Sequence, residues 1–249
     1  TRGVFGMQFR YNMADGFPAM TTKKLAFNAV KAELLWFISG SSDVKELQKL
    51  GCHIWDQNAE ADYWKPKARF EGDLGRIYGV QWRDWQAPDG KRIDQLGEVI
   101  ARIKKNPYDR RLIVNAWNPG ELDQMALPPC HSFFQFFVEP CTDPGTGVVD
   151  RKLSLQMYQR SCDMFLGVPF NIASESLLLH MVAQATGLKP GEFVHTLGDA
   201  HIYHNHFDQV KEQLAREPHP LPKLKLNPEI KNIDDFKMED IELMDYQCH

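Results

Sequence analysis

Leu153-Ser154-Leu155-Gln156-Met157-Tyr158-Gln159-Arg160 alternates cleanly, and that period of two constrains the chain more than any composition figure. Successive side chains of a strand point to opposite faces, which puts Leu153, Leu155 and Met157 on one side and Gln156, Tyr158 and Arg160 on the other. Arg160 then leaves the strand on its polar side, toward Ser161-Cys162-Asp163, read as a loop. A strong helix pattern follows over Phe170 to Ala185, with Gly187 just past its end. Asn171 and Glu175 are four apart and share a face of it, opposite or oblique to Ile172, Leu179 and Met181.

The rest of the chain supplies further elements. Val4 to Tyr11 alternates as a strand, and Leu25 to Ser39 has helical spacing ended by Gly40. Ser42 and Asp43 can cap a short helix through Leu50, with Gly51 ending it. Gln57 to Arg69 reads as a polar surface excursion, and Gly72 to Gly79 as a turn feeding Tyr78. That glycine-rich turn lacks both the strand-first spacing of a dinucleotide fingerprint and the lysine of a P-loop. Trp82 and Trp85 read as core. Ile93 to Lys104 predicts a helix stopped by Asn106-Pro107, Leu112 to Trp117 and Phe133 to Val138 predict strands, and Glu139 to Asp150 carries loop residues. Phe193 to Tyr203 reads as strand and turn, with His201 and Tyr203 to one side if the backbone is extended. A helix runs to Arg216, and short strands near Leu224 to Leu226 and Glu239 to Leu243 close the chain. No repeat, low-complexity tract or linker divides the 249 residues, so a single domain over 1–249 is expected.

Three groups of residues carry chemistry. Cys130 sits behind Pro128-Pro129 and ahead of an aromatic strand, so it reads either as a nucleophile on a rigid mount or as a small buried hydrophobe. Its thiolate would need cationic help, for which Arg110-Arg111, Arg160 and His131 are the candidates. Glu33 precedes the most apolar part of its helix; it is either on a solvated face or held in an apolar wall, where a raised pKa would suit proton shuttling. Arg110 and Arg111 form either a salt-bridged surface or a phosphate clamp. A net charge of −4 argues against a broad nucleic-acid surface, so any phosphate site should be local. Five scattered cysteines make no CxxC pair, which fits a reducing, cytoplasmic setting. No apolar run is long enough for a bilayer. His201, His204 and His206 suggest a metal hydrolase only weakly, because no HExxH or CxxC accompanies them, and no metal is expected.

Taken in order, Glu33-Leu34-Leu35-Trp36-Phe37, Ile54-Trp55-Asp56, Asp109-Arg110-Arg111, Leu127-Pro128-Pro129-Cys130-His131, Tyr158-Gln159-Arg160-Ser161-Cys162-Asp163, Phe165-Leu166-Gly167-Val168-Pro169-Phe170-Asn171, Gly198-Asp199-Ala200-His201-Ile202-Tyr203 and Arg216-Glu217-Pro218 closely resemble the thymidylate synthase family. The resemblance covers nearly the whole chain. It implies an α/β (α+β) fold around one large curved mixed β-sheet flanked by helices, and a homodimer packed sheet to sheet. It also implies reductive methylation of deoxyuridine monophosphate (dUMP) with 5,10-methylenetetrahydrofolate as co-substrate, with no metal, DNA or membrane partner. By the same resemblance Cys130 is the nucleophile, and Arg160 and Ser161 bind phosphate. Arg110 and Arg111 reach that phosphate from the opposite subunit, and Asn171 reads the uracil edge. His201 and Tyr203 bond the deoxyribose, while Glu33 and Tyr78 belong to a proton-transfer water network. Asp163 meets the pterin beside the substrate, and Ile54, Trp55, Leu166, Gly167 and Phe170 form the folate wall.

Several positions depart from the family pattern. The family's amino-terminal Arg-Thr-Gly loop would precede Thr1, its closing tail would follow His249, and Tyr246-Gln247-Cys248-His249 stands where Tyr-Asp-Pro-His is usual. Ala26 occupies a position where a ring often lines the folate site. Glu175 replaces the tyrosine usual after Asn-Ile-Ala-Ser. A carboxylate there raises an alternative within the superfamily, a pyrimidine nucleotide hydroxymethylase that adds water instead of hydride. Asn171, where deoxycytidylate-specific relatives carry aspartate, argues for a uracil base under either reading.

Overall fold

The computed structural model describes residues 1–142 and 149–249. Its elements, in chain order, are β1 (Arg2–Asn12), α1 (Phe27–Ser39), α2 (Val44–Lys49), α3 (Asp56–Ala59), α4 (Tyr78–Arg83), β2 (Trp85–Gln86), β3 (Arg92–Ile93), α5 (Gln95–Lys105) and β4 (Ile113–Asn115). Then come β5 (His131–Thr142), β6 (Val149–Asp163), α6 (Gly167–Thr186), β7 (Lys189–Ile202), α7 (Phe207–Leu214), β8 (Lys223–Leu226) and β9 (Ile241–Met244). Five strands form one mixed sheet in the order β1-β7-β6-β5-β4. All its neighbours are antiparallel except β6 and β7, which run parallel because α6 carries the chain back between them.

The alternation of β6 does what its period requires. Leu153, Leu155 and Met157 are fully buried, facing Phe134 and Phe136 of β5 and Phe193 of β7, while Gln156 is exposed. Helix α6 covers this face and in turn packs on α1 and α5. Buried residues occur all round α6, from Val168 and Ile172 through Ser174, Glu175, Ser176, Leu177 and Leu178 to Met181 and Val182, as expected of a helix inside a core. Glu175 therefore has no solvent face to occupy.

Two glycines fix how α1 meets α4. Gly40 ends α1 in the left-handed region at φ 73°. Gly79 allows close approach, because a Cβ there would lie 2.4 Å from the carbonyl oxygen of Phe37. Tyr78 is thus stacked on Phe37 at 4.8 Å and edge-on to Trp55 at 5.9 Å.

The structure corrects several expected boundaries. The Gln57–Arg69 stretch is not a plain surface excursion: it holds α3, and Trp64 is buried with its indole N–H donated to the Asp73 carbonyl at 2.6 Å. Leu25 precedes α1, its N–H donated to Tyr246 Oη at 2.8 Å. α5 begins only after Ile93, which pairs with Trp85 in a hairpin, because Asp94 caps the helix by accepting from Gly97 N–H. Trp85 is consequently half-buried on that hairpin rather than core. Ser161–Asp163 continues β6 instead of forming a loop, since these residues pair with Asp199, Ala200 and His201. α6 starts at Gly167, earlier than Phe170. β4 is confined to Ile113–Asn115 and β9 runs over Ile241–Met244. Of the expected loop, β5 and β6 take Glu139–Thr142 and Val149–Asp150, and 143–148 lie outside the described residues. No helix among the described residues is long and apolar enough to cross a membrane.

Candidate active site

Cys130 lies immediately before β5 and is fastened from two sides. Its N–H donates to Tyr78 Oη at 2.8 Å, and its carbonyl accepts from the N–H of Arg160 at 2.9 Å. The Arg160 side chain turns back onto the diproline, with Nε donating to the Pro129 carbonyl and Nη2 to that of Pro128, both at 2.8 Å. Its guanidinium stands 5.2 Å over the Trp117 ring. The two prolines leave carbonyls without competing N–H groups beside them, so one arginine can grip the mount of the cysteine and face its sulfur. Burial pushes the Cys130 thiol above its ordinary pKa; the charge of Arg160 and a hydrogen bond with Tyr78 oppose this without reversing it. The free site therefore holds a thiol, and of the expected cations only Arg160 acts on it.

His131 reaches the interior through an irregularity. By the parity of Phe134 and Phe136 it belongs on the opposite face of β5, but the register shifts between His131 and Phe133. A bulge re-aims the side chain. His131 is thereby buried opposite Gln159, edge-on to Tyr78 at 5.6 Å. Its Nδ1 stands 3.0 Å from Glu175 Oε1. Burial works to lower its pKa, but Glu175, then Glu33 and a hydrogen bond with Asn171, raise it above the ordinary imidazole value.

Glu33 is the buried carboxylate rather than the solvated one, 7% exposed on α1. Burial lifts its pKa to about 7, against the lowering effects of a 2.6 Å hydrogen bond from Trp55 Nε1 and of His131. Tyr78 is also held well above its usual pKa by burial, then by the neighbouring thiol. Asn171, in the first turns of α6, is oriented by Gln159, whose Nε2 donates to Asn171 Oδ1 and to the Ser161 carbonyl, each at 3.0 Å. Gln159 Oε1 lies 2.8 Å from Nε2 of the buried His195, which burial holds neutral by lowering its pKa to about 3. Neither Gln159 nor His195 was singled out from the sequence. The available signal was parity: Gln159 follows Leu153, Leu155 and Met157 on the apolar side of β6, where a glutamine needs buried partners.

The remaining expected residues ring this cluster. Asp163, at the end of β6, accepts the N–H groups of Phe165 and Leu166 at 3.0 and 3.2 Å, setting the start of α6. Gly167 follows, close enough that a Cβ would lie 3.6 Å from Asn171 Oδ1. Lys23 donates to the Phe165 carbonyl and covers its ring. Ser161 is half-buried beside Arg160 in β6. His201, its Nδ1 3.2 Å from Asp199 Oδ1, is edge-on to Tyr203 at 5.4 Å. Trp55 is buried under Glu33 and Phe170 is half-buried, whereas Ile54 and Leu166 are 48% and 54% exposed. Arg110 and Arg111 are not gathered with Cys130: both are exposed at the entry to β4, Arg111 Nε reaching Asp109 Oδ1 at 3.2 Å. Among the described residues, no group of three or more His, Cys, Asp or Glu is arranged to hold a metal ion.

The site thus joins a thiol, a guanidinium, an oriented amide and two buried carboxylates about one imidazole, drawn from α1, α4, β5, β6 and α6. The family model described as thymidylate synthase matches residues 1–249, the whole length over which these parts are distributed. The chain belongs to the thymidylate synthase family.

Proposed function

We propose that the chain converts dUMP to dTMP with 5,10-methylenetetrahydrofolate, releasing dihydrofolate. The observation that carries this reading is the fixed pairing of Cys130 with Arg160 beside an Asn171 whose amide is already oriented. Uracil C5 is too poor a nucleophile to attack a carbon electrophile unaided. Addition of the Cys130 sulfur to C6 moves the ring π-electrons onto C5 and O4 as an enolate, and the thiol proton must leave as the bond forms. Arg160 favours that charge separation and, with Ser161, can bind the nucleotide phosphate. Because Gln159 donates to Asn171 Oδ1, the amide NH2 of Asn171 is left to donate to O4. Glu33, with a pKa of about 7, can give and take a proton near neutrality at the O4 side, and Tyr78 holds the Cys130 backbone against it. His201 and Tyr203 would bond the sugar hydroxyl.

The folate supplies one carbon at C5 and then a hydride that reduces the resulting exocyclic methylene. The residues present fit its ring: Ile54 and Leu166 offer exposed apolar side chains beside the half-buried Phe170, and Asp163 fixes the backbone of Leu166. For hydration in place of reduction, Glu175 would have to present a water to C5. Its burial and its contact with His131 favour reduction.

A homodimer fits the other face of the sheet, where Ile113, Phe133 and Phe137 are exposed in β4 and β5. A second copy covering this face would bring Arg110 and Arg111, exposed at its edge, to the partner's phosphate site. A cytoplasmic setting agrees with the free thiols of Cys52, Cys130, Cys162 and Cys248.

The deciding experiment is a reaction with dUMP and methylenetetrahydrofolate, following dihydrofolate by absorbance and the nucleotide by mass. Dihydrofolate with a methylated nucleotide is expected. Tetrahydrofolate with a hydroxymethylated nucleotide would replace the synthase by the hydroxymethylase, and absence of both products would remove the reading.

A further inference from the structure

Glu175 takes no part in the reaction as written, yet it sits at the centre of the buried cluster. It is 1% exposed on a helix that is buried all round. Its Oε1 lies at ion-pair distance, 3.0 Å, from His131 Nδ1. Neither carboxylate oxygen meets an aligned hydrogen-bond donor among the described residues, and His131 Nδ1 has no other partner. The 3.0 Å contact is close but imperfectly aligned, so opposite charge must contribute to holding the two together. A neutral imidazole would leave a buried anion without a counter-charge, whereas an imidazolium supplies one.

The groups facing His131 come from every element around it: Glu33 from α1, the Tyr78 ring from α4, Asn171 and Glu175 from α6, and His195 from β7. Two are carboxylates and one is a histidine that burial keeps neutral. One positive charge between two carboxyl groups offsets part of the cost of burying them. We propose that Glu175 is a positioning residue that holds His131 as an imidazolium beside Cys130.

The influence is selective. Glu33 is drawn toward its charged form by His131 more than Glu175 drives it the other way, while the thiol answers to burial, Arg160 and Tyr78. Discharging His131 should consequently move Glu33 further up. The ion pair stands independently of the proposed reaction; only the use made of Glu33 rests on it.

The test is a titration of ring-labelled histidines by NMR in the ligand-free protein, with His131 assigned by the signal lost in His131→Gln. His131 should stay protonated above the ordinary imidazole range in the native chain, and in Glu175→Gln it should titrate at or below that range. The acid limb of the pH–rate profile should move to higher pH in Glu175→Gln, whereas in a His131→Gln background the same substitution should move it only downward, because the direct effect of the Glu175 charge then remains alone. A native His131 already neutral at slightly acid pH overturns the proposal, as does a titration that Glu175→Gln leaves in place. The native titration decides even if the variant does not fold, and Glu175→Asp, which keeps the charge, should retain part of the elevation. A charged His131 in a protein that makes no thymidylate would sink the proposed reaction and leave the ion pair standing.

Discussion

The two faces of the five-stranded sheet are built from the same strands and obey different rules. On the inner face Leu153, Leu155, Met157, Phe134, Phe136 and Phe193 pack under α6, and at one end the apolar parity is taken over by His131, Gln159 and His195. These buried polar groups are joined to one another and to Asn171. On the outer face Gln8 and Gln156 both donate to Thr196 Oγ1, at 3.0 and 3.2 Å, and Phe133 stacks on Tyr158 at 6.0 Å. There the aromatic residues, not the polar ones, lack cover: Phe137 is 61% exposed. Polar groups are costly inside unless connected, so the inner face carries the proposed chemistry; large apolar groups are costly outside, so the outer face carries the proposed interface.

The strongest way to break this contrast is at the sulfur. Cys130→Ser should reduce turnover to background while dUMP binding stays measurable by calorimetry, and appreciable turnover in that variant would remove the covalent mechanism. Next is the outer face. Phe137→Asp should convert a dimer to a monomer in sedimentation and lower specific activity, because each site would lose its partner's arginines; a native chain that sediments as a fully active monomer would show that the outer face is not an interface.

Stability should separate the faces more finely. Met157→Ala on the inner face should cost about 2–5 kcal/mol in denaturant unfolding. Phe137→Ala, measured where the chain is monomeric, should cost no more than about 0.5 kcal/mol. Equal costs would erase the distinction.

A pH-dependent effect sharpens the inner face electrostatically. Glu33 rises from an ordinary 4.5 to about 7 on folding, so between those values the folded chain keeps a proton that the unfolded chain has released. Its contribution to stability therefore falls as pH rises through that window, by up to about 3 kcal/mol. Glu33→Gln should match the native chain near pH 4 and be the more stable of the two at pH 8, though about a hundredfold or more slower in turnover. A native stability advantage at pH 8 would show that Glu33 is not held in a penalised state.

Much of this was legible in the residues. The alternation of β6 and the helix of α1 with its Gly40 stop follow from local period and capping, which neighbours in space do not alter. The proposed nucleophile and its arginine were legible because Pro128, Pro129, Cys130 and Arg160 stand in motifs. The boundaries missed were those set by remote partners: Trp64 is buried because Asp73 receives its indole N–H, and Ser161–Asp163 is strand because β7 lies beside it. Glu33 remained open between two readings because burial belongs to the assembled core, not to the helix.

By itself the sequence determined which residue types are present and how they repeat, and hence the strands, the helices and the identity of the reactive groups. Tertiary structure alone decided which of those groups share an interior. His131 turns inward only because of a bulge in β5, and it meets Glu175 only because α6 crosses that strand's end. Charge acts through distance and burial, and neither quantity exists along the chain until the layers have packed.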